Sequence, residues 1–570
     1  MKKSLDLVFL WHMHQPDYRD YATGDFVLPW VYLHAIKDYT DMAYHLERHP
    51  GVHVVLNFVP VLLDQLEDYT EQFATGKIRD PLLRLLVHAD SCELSEGDRQ
   101  LTLDACFRSS HTKMIAPYPV YTRLWDLFQL LRAEGDAALT YLSGQYMADL
   151  LVWYHLAWCG ESVRRENELV ASLMTKAEGF NFADRKQLFD LIGELTSGII
   201  PRYRKLAESG QIEISATPHY HPLAPLLIDF NSTKEAMPDA PLPKALHYPK
   251  GRLRVSRHIQ LAKQSHKARF GAEPVGMWPA EGAISVETLE IFAEQGCAWA
   301  ASGEGVLTNS IHSSNQQVTD RSEYLYRPYR LEKGADGLQC FFRDDHLSDL
   351  IGFEYSRWHG KDAANHFIEQ LLDISEKSEE TPVVSVILDG ENAWEYYPYN
   401  GFYFLDELYA QLEVRAEIRT TTYADFIKST RPDIARTGSL ATISAGSWVY
   451  GSFSTWIGSE DKNRAWDLLC AAKQSYDMVL SSGRLSQSER DAADKQLCSC
   501  ESSDWFWWFG DYNPANSVAS FDRLYRHNLT ELYRLLKLSA PLSLADPVSR
   551  GSLGPTGVEG AMRRATAEKS

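Results

Sequence analysis

Short apolar segments that each end at polar or aromatic residues recur along the chain and constrain its fold. They are LDLVFL at 5–10, VHVVLNFVP at 52–60, IEISATP at 212–218, PVGMWPAE at 274–281, CAWAAS at 297–302 and PVVSVILDGEN at 382–392. Near-continuous apolar strands that alternate with helices are typical of a parallel sheet covered on both faces, either open or closed into a barrel. We therefore expect an α/β domain whose functional side chains follow the C-terminal ends of the strands.

Helical patterns interrupt and then replace these strands. A charged stretch at about 160–210 predicts a helical insertion that covers the sheet or forms a lid, with a solvated helical hairpin as the alternative. Helical patterns dominate after about residue 430, so we expect the barrel-like domain over 1–430 and a C-terminal helical domain over 431–540. Residues 541–570 are rich in Gly, Pro, Ser and charge and are predicted to form a flexible tail.

The charge balance limits the partners of the protein. Its 570 residues carry a formal net charge of −20, and no segment supplies the basic face that a nucleic acid would need. No apolar run of about 18 residues is present, so no membrane span is predicted. The start reads as a first strand and not as a signal peptide, and we expect a cytoplasmic protein.

Two compositional features bear on ligands. The eight cysteines, at 92, 106, 159, 297, 340, 470, 498 and 500, form no CxxC pair and no zinc ladder. We therefore expect reduced thiols and neither a metal nor another cofactor. Aromatic residues make up 12% of the chain, with 15 Trp, and flat aromatic faces suit the apolar faces of sugar rings. A neutral carbohydrate is the expected partner, and the sequence leaves the oligomeric state open.

Two histidine clusters follow predicted strands. His12 and His14, with Gln15, directly follow the first strand, and His219 and His221 repeat the spacing after a later strand. Side chains two residues apart in an extended segment point to the same side. Such pairs can bind a metal, hydrogen bond to substrate hydroxyl groups, or serve the structure alone. Their common position at strand ends predicts one shared pocket.

Two carboxylates occupy similar positions. Glu281 follows a strand at a tight turn in GMWPAEG, and Asp389 ends the apolar strand in SVILDGEN, where Gly390 can permit a close backbone approach. Asp389 can alternatively cap the next helix. A buried carboxylate is costly without a partner or a task. Glycoside cleavage gives two acids a task, because one attacks or stabilises the anomeric carbon and the other protonates the leaving oxygen.

These motifs, in this order, resemble those of glycoside hydrolase family 57. The matching residues are His14-Gln15-Pro16, His221-Pro222, Trp278-Pro279-Ala280-Glu281 and Asp389-Gly390-Glu391, and further family-like stretches extend the resemblance to about residues 5–535. The resemblance implies an incomplete TIM-like (β/α)7 barrel followed by a C-terminal α-helical domain. It also implies α-glucan substrates, retention of anomeric configuration and no catalytic metal.

The resemblance also implies roles for individual residues. Glu281 is expected to be the nucleophile and Asp389 the general acid/base, while His14 and His221 hold hydroxyl groups of the sugar. Asp504 and Asp511 can equally be helix caps. Substrate contacts are expected from His12, His14, Gln15, His221, Trp278, Arg343, His346, Asp349, Glu391, Trp448 and Trp505, with Trp507 and Trp508 as further aromatic candidates.

The resemblance leaves the exact reaction open. The stretches WIGSEDKNRAW and SDWFWWFGD are most similar to the amylase and amylopullulanase-like branch, so hydrolysis of α-1,4 bonds is the leading expectation, and the sequence leaves cleavage of α-1,6 bonds open. The alternatives on the same scaffold are a 4-α-glucanotransferase and a branching enzyme. A zinc-dependent deacetylase-like enzyme and a non-catalytic glucan-binding protein are alternatives of other classes.

Overall fold

The computed structural model describes residues 4–314, 320–430 and 437–552, and it contains nine strands within those ranges. In the described residues, no helix has both the length and the apolar character that crossing a membrane requires. The strands are β1 Leu5–Met13, β2 Val54–Phe58, β3 Ile212–Ala216, β4 Trp299–Gly303, β5 Tyr329–Leu331, β6 Gln339–Arg343, β7 Val383–Asp389, β8 Ile418–Thr420 and β9 Gly438–Leu440.

Most strands are parallel, and they close into a barrel. β1 pairs with β2 on one side and with β7 on the other, β2 pairs with β3, and β4 pairs with β6. β6 meets β7 at Arg343 and Ser385. Met277 closes the ring because it bridges Ala216 of β3 and Ala300 of β4. Six strands and the Met277 segment thus form the predicted seven-stranded barrel, and a C-terminal helical region follows it as expected.

Each barrel strand is buried on both faces, which explains its near-continuous apolar sequence. In β1, Val8 and Leu10 belong to the barrel interior, where they pack with side chains of β2, β4, β6 and β7. The intervening residues Leu7, Phe9 and Trp11 belong to the larger core beneath the helices. This alternation fixes which side chains point to the barrel axis.

Helices surround the barrel and form a large layer between β2 and β3. The sequence predicts a helical insertion at about 160–210. The helical layer in the structure is larger, because it begins at residue 60. Up to β3 the helices are α1 Trp30–His34, α2 Thr40–Arg48, α3 Pro60–Thr75, α4 Pro81–Leu86, α5 Glu96–Cys106, α6 Pro119–Ala133, α7 Gly144–Trp158, α8 Glu161–Glu166, α9 Glu168–Lys176 and α10 Phe182–Glu208.

The remaining helices complete the barrel and form the C-terminal region. From β3 to residue 430 they are α11 Ala224–Ile228, α12 Thr233–Ala236, α13 Gly251–Phe270, α14 Val286–Glu294, α15 Glu304–Ser313, α16 Arg321–Tyr324, α17 Asp345–Asp349, α18 Gly360–Lys377, α19 Phe402–Val414 and α20 Tyr423–Thr430. The C-terminal helices are α21 Glu460–Ser481, α22 Gln487–Cys500, α23 Asp504–Trp508 and α24 Ala515–Leu535.

The predicted flexible tail from residue 541 differs from the structure over residues 541–552, which follow α24 and are held by hydrogen bonds. Asp522 of α24 accepts hydrogen bonds from the backbone N–H groups of Val548 and Ser549, at 2.6 and 3.2 Å. The Ser549 hydroxyl in turn accepts from the N–H of Gly510. Residues 541–552 therefore pack on the helical domain, because its side chains satisfy their backbone. Residues 553–570 lie outside the described residues.

A buried ion pair joins the barrel helices to the C-terminal helices. Glu501, directly after α22, accepts from the Arg254 Nε and Nη2 of α13, both at 2.8 Å. His258 Nε2 and the Tyr248 hydroxyl contact the same carboxylate at 2.8 and 2.6 Å. These partners offset the cost of burying the Glu501 charge and hold its pKa well below its usual range.

Candidate active site

A cavity of about 480 Å³ lies above the C-terminal ends of the barrel strands. Its floor is formed by strand ends and the loops that follow them, among them His12, His14, His221, Glu281, Arg343, Asp389 and Glu391. One wall comes from the segment after β1 and the helical layer, with Trp30, Phe107, Arg108 and Trp158. The C-terminal helical region supplies another wall, with Asp504, Trp507, Trp508 and Phe521.

Strand alternation accounts for the positions of His12 and Asp389. His12 continues the inward-facing series of β1, and it lies beside Asp389 in the pairing of β1 with β7. Both side chains therefore emerge at the open end of the barrel. Gly390 donates its N–H to the carbonyl of His12 at 2.7 Å, and an added Cβ there would collide with the Met13 side chain. The close backbone approach expected at Gly390 is present.

Glu281 lies in a strained turn directly after the Met277 segment. Its φ of 57° is in the left-handed region, which costs a non-glycine residue about 1–3 kcal/mol. Trp448 holds the turn twice, since its backbone N–H donates to the Glu281 carbonyl and its indole Nε1 donates to Oε2, both at 3.1 Å. Gly303 allows this approach, because an added Cβ would lie 2.6 Å from the Cα of Trp448.

The carboxyl groups of Glu281 and Asp389 in the cavity both have raised pKa values. Burial raises the pKa of Glu281 to about 8, and the charges of Asp389 and Asp504 contribute in the same direction. Burial also raises the pKa of Asp389, against the hydrogen bond from Asn392 Nδ2 at 2.9 Å and the charge of Arg343. Two acids with raised pKa values in one cavity form a pair that can hold one proton near neutral pH.

The two motif histidines stack, and each has a partner from the C-terminal region. The rings of His14 and His221 lie 3.9 Å apart at 20°. His14 Nε2 contacts Asp504 Oδ1 at 2.8 Å, and His221 Nδ1 contacts the Ser503 hydroxyl at 2.8 Å. Because the Ser503 hydroxyl also donates to the carboxylate of Glu281, His221 donates through Nδ1. This leaves His221 Nε2 as an acceptor.

The same reasoning applies to His14, which donates to Asp504 through Nε2 and keeps Nδ1 as an acceptor. Neither His14 Nδ1 nor His221 Nε2 has a hydrogen-bond partner among the described residues, and both atoms are buried. Burial and the neighbouring histidines lower the pKa of His221 well below its usual range. The pair is thus suited to accept hydrogen bonds from hydroxyl groups.

His12 is fixed from the neighbouring strand. Its Nδ1 contacts Asn57 Oδ1 of β2 at 2.6 Å, and Asn57 in turn donates to the Ser215 hydroxyl of β3 at 3.0 Å. Burial and the nearby His14 lower the pKa of His12 to about 3. His12 is therefore neutral across the physiological range and orients its ring beneath His221, at a ring separation of 5.3 Å.

The same cluster also offers three groups that can bind metals. One ligand atom each from His14, His221 and Asp504 lies within 4.8 Å of the others. Zinc is bound along the in-plane lone pairs of imidazole nitrogens, in a tetrahedral arrangement. In two rings stacked at 20° the lone pairs lie in nearly parallel planes and do not converge on one ion. The donor set therefore fits hydrogen bonding better than metal coordination.

Glu391 holds the loop after β1. Its Oε1 accepts from the N–H of His14 at 3.1 Å, from Gln15 Nε2 at 3.3 Å and from the Tyr39 hydroxyl at 3.4 Å. Burial and the charge of Asp389 raise its pKa well above the usual range. Glu391 and Gln15 both line the cavity, and they also support each other.

The expected polar wall of Arg343, His346 and Asp349 is only partly present. Arg343 lines the cavity, donates to Asp345 and Asp349 at 2.7 and 2.9 Å, and lies 5.6 Å from the ring centre of Trp448. Asp349 thus acts on the site through Arg343. The predicted substrate contact is wrong for His346. Asp345 and Asp349, four residues apart on α17, share one face of the helix, and His346 is exposed to solvent on another.

The tryptophans divide into cavity residues and core residues. Trp448 lines the cavity, as do Trp507 and Trp508. The prediction of sugar contacts is wrong for Trp278 and Trp505, because both side chains are fully buried. Trp278 packs between His12 and Trp448, at ring separations of 6.3 and 5.3 Å. Trp505 donates to a backbone carbonyl inside the helical domain.

Several site residues carried no clear signal in the sequence. Asn57 and Ser503 act only through contacts that the fold creates between distant segments, whereas Asn392 donates to Asp389 three residues before it. The sequence indicates Asp504 only as a possible helix cap, although it directly precedes the tryptophans of SDWFWWFGD. The clustering of polar and aromatic residues in that stretch is the signal that could have identified it.

Residues 8–437 match the family described as Glycosyl hydrolase family 57. The chain belongs to this family. Membership implies a retaining enzyme that acts on α-glucans, and it agrees with the order of the four motifs and with the barrel. A search of curated proteins gave no match.

Solved structures of similar fold cover nearly the whole chain. A branching enzyme of this family from Thermococcus kodakaraensis is 15% identical, with 94% of this chain and 90% of the other covered and a TM-score of 0.56. The α-amylase AmyC from Thermotoga maritima is 12% identical, with 94% and 93% covered and a TM-score of 0.55. A 4-α-glucanotransferase from Thermococcus litoralis is 15% identical, with 93% and 60% covered and a TM-score of 0.50. At these identities the likeness concerns the fold.

Proposed function

We propose that this protein hydrolyses α-1,4-glucosidic bonds of starch, glycogen or maltooligosaccharides with retention of configuration, and cleavage of α-1,6 bonds is a second candidate activity of the same cavity. Glu281 is the nucleophile and Asp389 is the general acid/base. The observation that carries the proposal is the shared cavity of these two acids, in which burial raises both pKa values and Asp389 raises that of Glu281.

In the first step a Glu281 oxygen attacks the anomeric carbon, and the bond to the leaving glycosidic oxygen breaks as Asp389 gives that oxygen its proton. In the second step Asp389 takes a proton from water, whose oxygen replaces Glu281 at the anomeric carbon. Glu281 must therefore start ionised and Asp389 protonated. Hydrogen bonds from Trp448 and Ser503 favour the charge on Glu281.

The rest of the cavity is assigned to the substrate. The acceptor nitrogens of His14 and His221 would receive sugar hydroxyl groups beside Glu281, since His221 Nδ1 is 3.9 Å from Glu281 Oε1. Trp448, Trp507 and Trp508 offer aromatic faces to pyranose rings. The assignment follows from their position around the acids and from the hydrogen bonds that fix the histidine tautomers.

Product analysis tests the proposal. The protein would be incubated with amylose, pullulan and maltooligosaccharides, and the products would be sized and their anomeric configuration followed by NMR. Shorter α-anomeric products are expected. Products longer than the starting oligosaccharide would instead identify a glucanotransferase, and new α-1,6 branches would identify a branching enzyme. β-Anomeric first products would exclude the retaining mechanism.

Metal analysis tests the rival classes. A zinc-dependent deacetylase-like enzyme would contain stoichiometric zinc, and its activity would disappear with a chelator. Activity on α-glucans without bound zinc is expected here. A protein that binds amylose but forms no product under any condition would be a non-catalytic glucan-binding protein.

A further inference from the structure

Three aromatic side chains form an exposed patch outside the catalytic cavity. They are Trp358, Tyr399 and Tyr403, whose side chains are 42%, 58% and 50% exposed. The rings of Tyr399 and Tyr403 meet at 5.5 Å and 89°. Gly360, the first residue of α18 and two residues after Trp358, lies against Tyr403, since a Cβ on Gly360 would be 2.9 Å from the Tyr403 carbonyl carbon. We refer to Trp358, Tyr399 and Tyr403 as the aromatic patch.

The backbone at Tyr399 is strained in a way that exposes its ring. Tyr399 and Asn400 have φ values of 53° and 54°, and Gly401 follows at 73°. Each non-glycine residue in this region costs about 1–3 kcal/mol, and such strain persists only where the surroundings hold it. The buried Asn400 side chain does so by donating to Asp41 Oδ2 at 2.7 Å. A hydrophobic ring that a strained turn directs into solvent indicates a binding role.

Two segments connect the patch to the catalytic cavity. Tyr396 lines the cavity, and Tyr399 follows it after three residues, a span of at most about 11 Å. Phe353 lines the cavity on the neighbouring segment, and Trp358 follows after a helical turn. The patch therefore lies next to the cavity rim, where a chain that leaves the cavity would pass.

The chemistry of the patch fits a carbohydrate. Arg165 covers one side of Tyr403, with its guanidinium 4.9 Å from the ring centre and Nη2 donating to the hydroxyl at 2.9 Å. This contact orients Tyr403 beside polar groups that can bond to hydroxyls. Aromatic faces bordered by polar groups match the alternation of apolar faces and hydroxyl edges on a sugar chain.

We propose that the aromatic patch is a secondary binding site for a single α-glucan chain whose other part occupies the catalytic cavity. This inference rests on the proposed α-glucan substrate and deepens it: the patch would favour long polysaccharides over short oligosaccharides. A short substrate that fills only the cavity would not reach it.

The test compares two substitutions of Tyr399. Tyr399→Asn removes the ring but tolerates the left-handed backbone, whereas Tyr399→Phe keeps the ring. Both would be made in the full chain, and binding to amylopectin would be measured by affinity electrophoresis in a Glu281→Gln background. Tyr399→Asn is expected to raise the dissociation constant about tenfold, and Tyr399→Phe to leave it unchanged. Tyr141→Ala, at an exposed tyrosine elsewhere, is the matched control.

Turnover distinguishes this site from the catalytic cavity. With Glu281 intact, Tyr399→Asn should lower the rate on dilute amylopectin and leave that on maltotetraose unchanged. Equal losses on both substrates, equal effects of Asn and Phe, or wild-type binding of the Asn variant would overturn the proposal. If wild-type protein cleaves no α-glucan, the proposed function fails, while ring-dependent retention by amylopectin would still support the patch.

Discussion

At the residue scale, Glu281 combines three unfavourable features, namely a left-handed backbone, a buried carboxyl group and two acidic neighbours. Each feature costs stability, and the surrounding contacts with Trp448 and Ser503 only partly offset that cost. Strain and perturbed pKa values that coincide at one side chain are typical of functional sites.

The roles of the two acids predict different kinetic losses. Glu281→Gln removes the nucleophile, so hydrolysis of a maltooligosaccharide should fall by several orders of magnitude. Asp389→Ala should lose activity on natural α-glucans but spare aryl α-glucosides with good leaving groups, since these depart without a proton. Turnover of both substrates by both variants measures this. Equal losses of Asp389→Ala on both, or more than about a tenth of wild-type turnover in Glu281→Gln, would refute the assignment.

The raised pKa of Glu281 predicts a pH-dependent stability difference. Without substrate, the pair formed by Glu281 and Asp389 keeps one proton up to about pH 8, whereas in the unfolded chain Glu281 releases its proton near its ordinary value of 4.5. The native state therefore binds more protons in this window, and its stability falls as pH rises. Relative to wild type, Glu281→Gln should gain up to about 1.4 kcal/mol of unfolding free energy per pH unit.

Urea unfolding of both proteins at pH 5 and pH 8 would measure this difference. Other buried acids, such as Glu213 with a pKa raised to about 7, remain in both proteins and cancel in the comparison. A difference between the two proteins that does not change with pH would show that the pair of Glu281 and Asp389 holds no proton in the native state over this range.

At the scale of elements, the turn at Ser503 and Asp504, where α23 begins, brings side chains of the C-terminal region into the barrel site. Ser503 contacts His221 and Glu281, and Asp504 contacts His14, so one turn positions three groups of the cavity. The backbone bond from the N–H of Ser503 to the His221 carbonyl, at 2.9 Å, fixes this turn against the barrel loop. The histidine tautomers thus depend on a segment distant in sequence.

Asp504→Asn tests that dependence. Asn keeps an acceptor oxygen for His14 Nε2 but removes the charge, and because hydrogen bonds to charged groups are stronger than neutral ones by about 1–1.5 kcal/mol, kcat/KM for a maltooligosaccharide should fall about tenfold. Asp511→Asn is the matched control, because Asp511 belongs to the same stretch and is exposed. Similar activities of the two variants, at unchanged thermal stability, would show that Asp504 does not position His14.

The elements also show what the sequence can predict. Local patterns predicted the strands β1 and β7, near whose C-terminal ends His12 and Asp389 lie, because burial on both faces imposes continuous apolar runs that polar residues terminate. They could not separate buried Trp505 from Trp507 and Trp508 at the cavity, since this depends on how α23 docks. They also could not identify Ser503, because nothing local distinguishes a hydroxyl group that bridges two distant segments.

At the scale of the whole molecule, the site exists only while the barrel and the C-terminal helices remain docked. The buried ion pair of Glu501 with Arg254 lies three residues before Asp504 and belongs to this contact. Arg254 also donates to Cys498 at 2.9 Å. The group of His258, Cys498 and Glu501 has ligand atoms close enough for a metal, but the Arg254 charge already neutralises it.

Breaking this ion pair should reduce stability and activity together. Arg254→Met leaves Glu501 buried without its main counter-charge, which is expected to cost about 3–5 kcal/mol of unfolding free energy. The double variant Arg254→Met/Glu501→Leu removes both charges and should recover much of the loss.

Arg257→Met is the matched control, since its exposed pair with Asp494 contributes at most about 1 kcal/mol. Denaturant unfolding and maltooligosaccharide turnover would be measured for all four proteins. Because Ser503 and Asp504 lie only two and three residues after Glu501, the single variant should also lower kcat at temperatures where it is still folded. If Arg254→Met were no less stable than Arg257→Met, or lost stability with full kcat, the ion pair would not be what docks the C-terminal segment at the active site.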